Sequence, residues 1–145
     1  MPKNILSEKL LNSDAEYDFL ENRDAAAAAI DADIVFPKDD ELQIDIDSEE
    51  AHDRFKAAFS RLREVIPVEL VTDRPSKSGM PHRHITIKMD NYGQPPFSPL
   101  EKIALQFMLG SDYIRESISV IRCLRNIENP TCFFEVKTDR KFKPK

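Results

Sequence analysis

Hydrophobic and polar positions change period several times along this chain. Glu41-Leu-Gln-Ile-Asp-Ile-Asp-Ser48 alternates strictly, which predicts a strand from Leu42 to Asp47. Ile44 and Ile46 point to one face and Asp45 and Asp47 to the other, because side chains alternate across a strand. Three further stretches read as strands: Val68–Thr72, His82–Met89 and Thr131–Lys137. In the third strand His84, Thr86 and Lys88 share one face; in the fourth, Phe133, Glu135 and Lys137 do. Between the first two strands Ala51, Phe55, Ala58, Phe59, Leu62 and Ile66 recur at helical spacing. Ser48 is a ready N-cap, with Glu49 and Glu50 at the positive end of that helix.

Between the last two strands two helical pieces are predicted. Ser98-Pro-Leu-Glu101 carries a capping box and a first-position proline, and Leu100, Ile103, Ala104, Phe107 and Met108 form the apolar stripe. Gly110 ends that piece, and Ser111 or Asp112 caps another running to about Arg125 with Ile114, Ile118, Ile121 and Leu124 inward. The order is β-α-β-β-α-β, which predicts an α+β, ferredoxin-like or RRM-like domain over residues 41–137. That plan is a four-stranded antiparallel sheet, order 4-1-3-2, with the helices on one face. Residues 1–40 are expected to form an acidic helical N-terminal extension: a helix over about Asp14–Ala29, then a short extended piece at Ile34, Val35 and Phe36. Residues 138–145 form a basic tail.

Composition narrows the picture. At 145 residues, 41% hydrophobic and 32% charged, the chain suits one globular domain. Three glycines argue against a glycine-rich phosphate loop. No apolar run approaches ~20 residues and the first residues lack a secretory apolar core, so a cytoplasmic location without membrane contact is expected. Cys123 and Cys132 make neither a disulfide framework nor a zinc site. The net charge of −5 is uneven: residues 1–50 hold four basic and fifteen acidic side chains, net −11, and the remainder is net +6. A basic body with an acidic arm is compatible with nucleic acid or with a basic protein partner.

In the expected sheet the open face gathers Asp45, Asp47, His84, Lys88 and Glu135 from three strands. Carboxylates so placed suit Mg²⁺ or Mn²⁺, and three acids suit a site for nucleotidyl transfer. His84, Arg74, Lys77, Ser78 and Lys88 are candidate contacts for nucleotide phosphates, and Phe133 for a base. Asp47 has a plain alternative as a helix cap, and His82-Arg83-His84 as an exposed strand end.

The ordered set resembles the archaeo-eukaryotic primase superfamily, the primase–polymerase catalytic core. Ile44-Asp45-Ile46-Asp47 is similar to its hydrophobic-Asp-hydrophobic-Asp motif, Ser78-Gly79 followed by His84 to its second motif, and Phe133-Phe134-Glu135 to its third. The resemblance implies metal ligation and catalysis by Asp45, Asp47 and Glu135, and phosphate contact by His84 with Ser78 and Lys77 nearby. This chain departs from the pattern in its third acid, Glu rather than Asp, and in a longer gap between Gly79 and His84. His82-Arg83-His84 with Tyr113 is similar in part to rolling-circle nickases, although Arg83 replaces their central hydrophobic residue. The stretch Ala104–Glu116 resembles small phage proteins of unassigned role. The alternative is therefore a non-catalytic phage-type protein that binds DNA, RNA or a host replication protein.

Overall fold

The computed structural model describes residues 22–75, 82–90 and 92–136. In order, its elements are α1 (Arg23–Ala29), β1 (Ala32–Val35), β2 (Glu41–Ile46), α2 (Glu49–Val65), β3 (Val68–Pro75), β4 (Arg83–Met89), α3 (Pro99–Met108), α4 (Tyr113–Leu124) and β5 (Phe133–Val136). The protein is α+β, with both sheets antiparallel: one of three strands, order β2-β4-β3, and one of two, β1-β5.

The three-stranded sheet carries the main core. Leu42, Ile44 and Ile46 of β2 and Ile85, Ile87 and Met89 of β4 face Ala51 and Phe55 of α2 and Leu109 beyond α3. All of these are nearly inaccessible to water, as the alternation in the sequence requires. Ser48 caps α2 by accepting from the Ala51 N–H at 3.0 Å. The expected box at Ser98 and Glu101 caps α3. Gly110 has φ +91°, and a Cβ there would meet the Ala51 carbonyl at 2.8 Å; glycine lets the turn between α3 and α4 rest on α2.

The strand order agrees with expectation for β2, β4 and β3. It differs at β5, which pairs with β1 rather than with β2. The physical reason lies at the outer edge of β2. Its backbone groups are taken up by α3, α4 and the turn between them. The Gln43 N–H donates to Gln106 Oε1 at 3.0 Å, and Arg115 Nη1 donates to the Gln43 carbonyl at 2.9 Å. The Asp45 N–H donates to Ser111 Oγ at 3.0 Å, and the Asp112 N–H donates to the Asp45 carbonyl at 2.7 Å. Three side chains and one backbone N–H complete the ladder where a fourth strand was expected.

This role changes part of two helix faces. Ile103 and Ile118 are buried as expected, but Leu100, Phe107 and Met108 of α3 and Ile114 and Leu124 of α4, also expected inward, are exposed. Gln106, Glu116, Ser119 and Arg122 are buried as well. Glu116 is supplied with three donors, from Gln106 Nε2 at 2.8 Å, Ser111 Oγ at 2.7 Å and Arg115 Nη1. Such saturation is what permits a buried carboxylate.

Part of the expected N-terminal extension is built into the body. Residues 32–35 pair with β5, and Ala27 and Ala32 pack with Val136. The expected helix is described from Arg23, and its residues 14–21 lie outside the described residues. So do Lys77 and Ser78, Lys137 and the basic tail.

Candidate functional site

The site begins with β2 and β4. In their register Asp45 lies directly opposite His84, and His84 lies opposite Arg74 of β3. One row across the sheet's non-helical face thus reads Asp45, His84, Arg74. The β1–β5 sheet contributes Phe133 and Glu135 against this row. The Phe133 ring stacks on His84, centroids 4.1 Å apart and nearly parallel. Glu135 Oε2 pairs with Arg74 Nη1 at 3.2 Å. The Arg115 guanidinium also lies over Phe133, 4.8 Å from its centroid, while Nη2 donates to the Cys132 carbonyl at 3.1 Å.

Asp45, His84, Arg115 and Phe133 border a cavity of about 250 Å³, with Asp112 on its rim and Ile114 and Ile118 on its apolar wall. Burial dominates the chemistry here. It pushes the Asp45 carboxyl up to about 6; Asp112, Asp47 and Glu116 add to the rise and Arg115 opposes it. Burial, then the positive charge of Arg115, pulls His84 down to about 4. At neutral pH His84 is therefore uncharged. Its Nε2 lies 3.8 Å from Asp45 Oδ1, beyond hydrogen-bond reach, so the pair is a contact rather than a formed ion pair. Asp112 is also raised, first by burial and also by the charge of Asp47, against two backbone hydrogen bonds that lower it.

Asp47 follows β2, and its Oδ1 meets His82 Nδ1 at 2.8 Å. It lines a second cavity, about 560 Å³, with Arg54, Tyr113 and Asp112. Asp112 borders both cavities. Lys88 lies about 13 Å along β4 from His84, at ~3.3 Å per residue, and meets Asp40 at 3.6 Å.

Neither a protein-family model, a curated protein nor a solved structure matches this chain.

Of the expected site residues, the structure brings Asp45, His84, Arg74 and Glu135 into one neighbourhood. It does so through stacked sheets rather than through one sheet. Asp47 sits beside them with His82 as its partner. Among the described residues no group of three or more His, Cys, Asp or Glu side chains is placed to hold a metal ion. Phe133, only 2% exposed, is spent on His84 and Arg115, which leaves it no face for an incoming base. Two residues that shape the site, Asp112 and Arg115, were not singled out for it in the sequence. Their signal was Asp112-x-x-Arg115-Glu116 at a helix start, which reads as an ordinary cap and surface pair. No helix among the described residues is long and apolar enough to cross a membrane.

Proposed function

We propose that this chain is a nucleotide- or nucleic-acid-binding domain of primase–polymerase-like type, with one hydrated divalent cation drawn to Asp45 and Asp47. The observation that carries the reading is the register of β2 on β4, with Asp45 opposite His84, both lining a cavity, and Asp47 two residues on. The mutual repulsion of Asp45, Asp47 and Asp112, which helps to raise two of their pKa values, is what a dication would relieve. Mg²⁺ and Mn²⁺ commonly keep several waters and take only one or two protein carboxylates, so this pair fits them. Glu135 fits less well, because Arg74 already neutralises it. Bound there, the cation would neutralise a polyphosphate; Asp45 and Asp47 would hold it and His84 would contact a phosphate oxygen.

A second reading, a non-catalytic protein that binds DNA, RNA or a replication protein, has its own support. Glu135 and Phe133, which would complete a catalytic face, are engaged inside the fold. Binding of a fluorescent nucleoside triphosphate to the full chain, with and without Mn²⁺, separates the two. The first reading expects Mn²⁺-dependent binding that Asp45→Asn plus Asp47→Asn abolishes. Binding that ignores both Mn²⁺ and the substitutions defeats it. Metal-independent, salt-sensitive DNA binding is the result that the second reading expects.

A further inference from the structure

We propose that the outer edge of β3 pairs with the same edge of a second copy of this chain, making a symmetric dimer with one continuous six-stranded sheet.

β3 ends the sheet order, and among the described residues nothing pairs with its outer edge. Leu70 and Val71 on it are exposed. A long edge strand with apolar residues and unpaired backbone groups is a template for another strand. Its free groups can be assigned. The Met89 N–H bonds to the Asp40 carbonyl on the β2 side, and the Asp90 N–H to the Pro67 carbonyl on the β3 side. Alternation along an antiparallel ladder then turns Glu69 toward β4 and Leu70 outward. The register slips between Leu70 and Thr72, which makes Val71 the extra residue of a bulge. Beyond it Thr72 and Arg74 face β4, and Asp73 faces outward.

The bulge decides which copy-to-copy register works. Glu69 and Arg74 are five apart and would lie on opposite faces of a regular strand. Here both lie on the non-helical face, opposite Lys88 and His84 respectively. Antiparallel pairing of two β3 edges with Leu70 opposite Asp73 uses outward backbone groups on both sides. The same register sets Glu69 of each copy opposite Arg74 of the other, on one face, twice. Shifting it by two residues toward the strand's start sets Glu69 opposite Thr72 instead and loses both charge pairs. Arg74 holds Glu135 through Nη1 and its side chain remains 43% exposed, so its other donors can reach the facing Glu69. The contact is isologous and closes on itself.

Sedimentation of the full chain from about 5 to about 500 µM tests the dimer by mass action. A concentration-dependent dimer is expected, and Glu69→Lys weakens it about tenfold by turning two attractive cross-strand pairs repulsive. Cross-linking tests the register. In a Cys123→Ser background, chains with Glu69→Cys mixed with chains with Arg74→Cys form an oxidised dimer, because facing Cα atoms lie about 4.5–5.5 Å apart. Either variant alone does not, since like positions lie about 16 Å apart along the strands. A monomer throughout the range overturns the proposal, as does a dimer whose cross-linking is no better in the mixture than in either variant alone.

Discussion

Asp45 and His84 touch, and burial moves them in opposite directions. The folded chain keeps the Asp45 proton to about pH 6, whereas an unfolded chain releases it near 3.8. Stability from this group is full at low pH and lost as pH rises through about 6. His84 has the other sign: unfolded it gains its proton near 6.5, folded only near 4. Its contribution is full above about 6.5 and lost as pH falls toward 4. Each effect is on the order of 3 kcal/mol, so between pH 4 and 6 the two largely cancel. Asp45→Asn removes one arm and is predicted to make stability climb with pH over this interval. His84→Gln is predicted to make it fall. Urea unfolding at several pH values reads both slopes; two variants with the parent's profile would refute the coupling.

Among the elements, the chain's periods were legible and the facing of α3 and α4 only in part. β2, α2 and β4 carry unambiguous patterns, Leu42-x-Ile44-x-Ile46 above all, and they form where the pattern places them. In α3 and α4 the apolar stripe is expected inward, and only part of it is, with Ile103 and Ile118 buried. The edge of β2 needs donors and acceptors, so the helices turn Gln106, Glu116 and Ser119 toward the interior as well. That demand comes from tertiary pairing, which no local window contains. Ser111 makes the point testable. Its hydroxyl accepts from the Asp45 N–H and donates to Glu116. Ser111→Ala should cost about 1–3 kcal/mol, the cost of stranding buried partners. Tyr113→Ala, at an exposed position two residues on, should stay within about 0.5 kcal/mol. Gly110→Ala should cost about 2 kcal/mol or more, because it combines a positive φ with a clash on the Ala51 carbonyl. Chemical denaturation ranks all three.

Across the molecule, the candidate site depends on β1 holding β5 against the larger sheet. Asp45, His84 and Glu135 are expected on one sheet face; in the structure Asp45 contacts His84, and Glu135 reaches the row only through Arg74. Asp45 and His84 meet by strand register, which period-2 patterning fixes, whereas Glu135 arrives from a separate sheet whose other strand, β1, lies in the expected N-terminal extension. Removal of residues 1–36 should therefore unseat Phe133 from His84 even though β2, β4 and their core remain. The upfield ring-current shift that stacking gives the His84 ring protons would vanish in that truncation; its persistence would show that β5 docks without β1.

The proposed function turns on a dication drawn to Asp45 and Asp47. Paramagnetic broadening of backbone amide signals by substoichiometric Mn²⁺ measures this on the whole chain and without any assumption of activity. The signals of Asp45, Asp47 and their neighbour Asp112 are expected to broaden first, and Asp45→Asn plus Asp47→Asn to remove the effect. Broadening that begins instead at Asp39 and Asp40, or at Glu49 and Glu50, and survives the double substitution would contradict it.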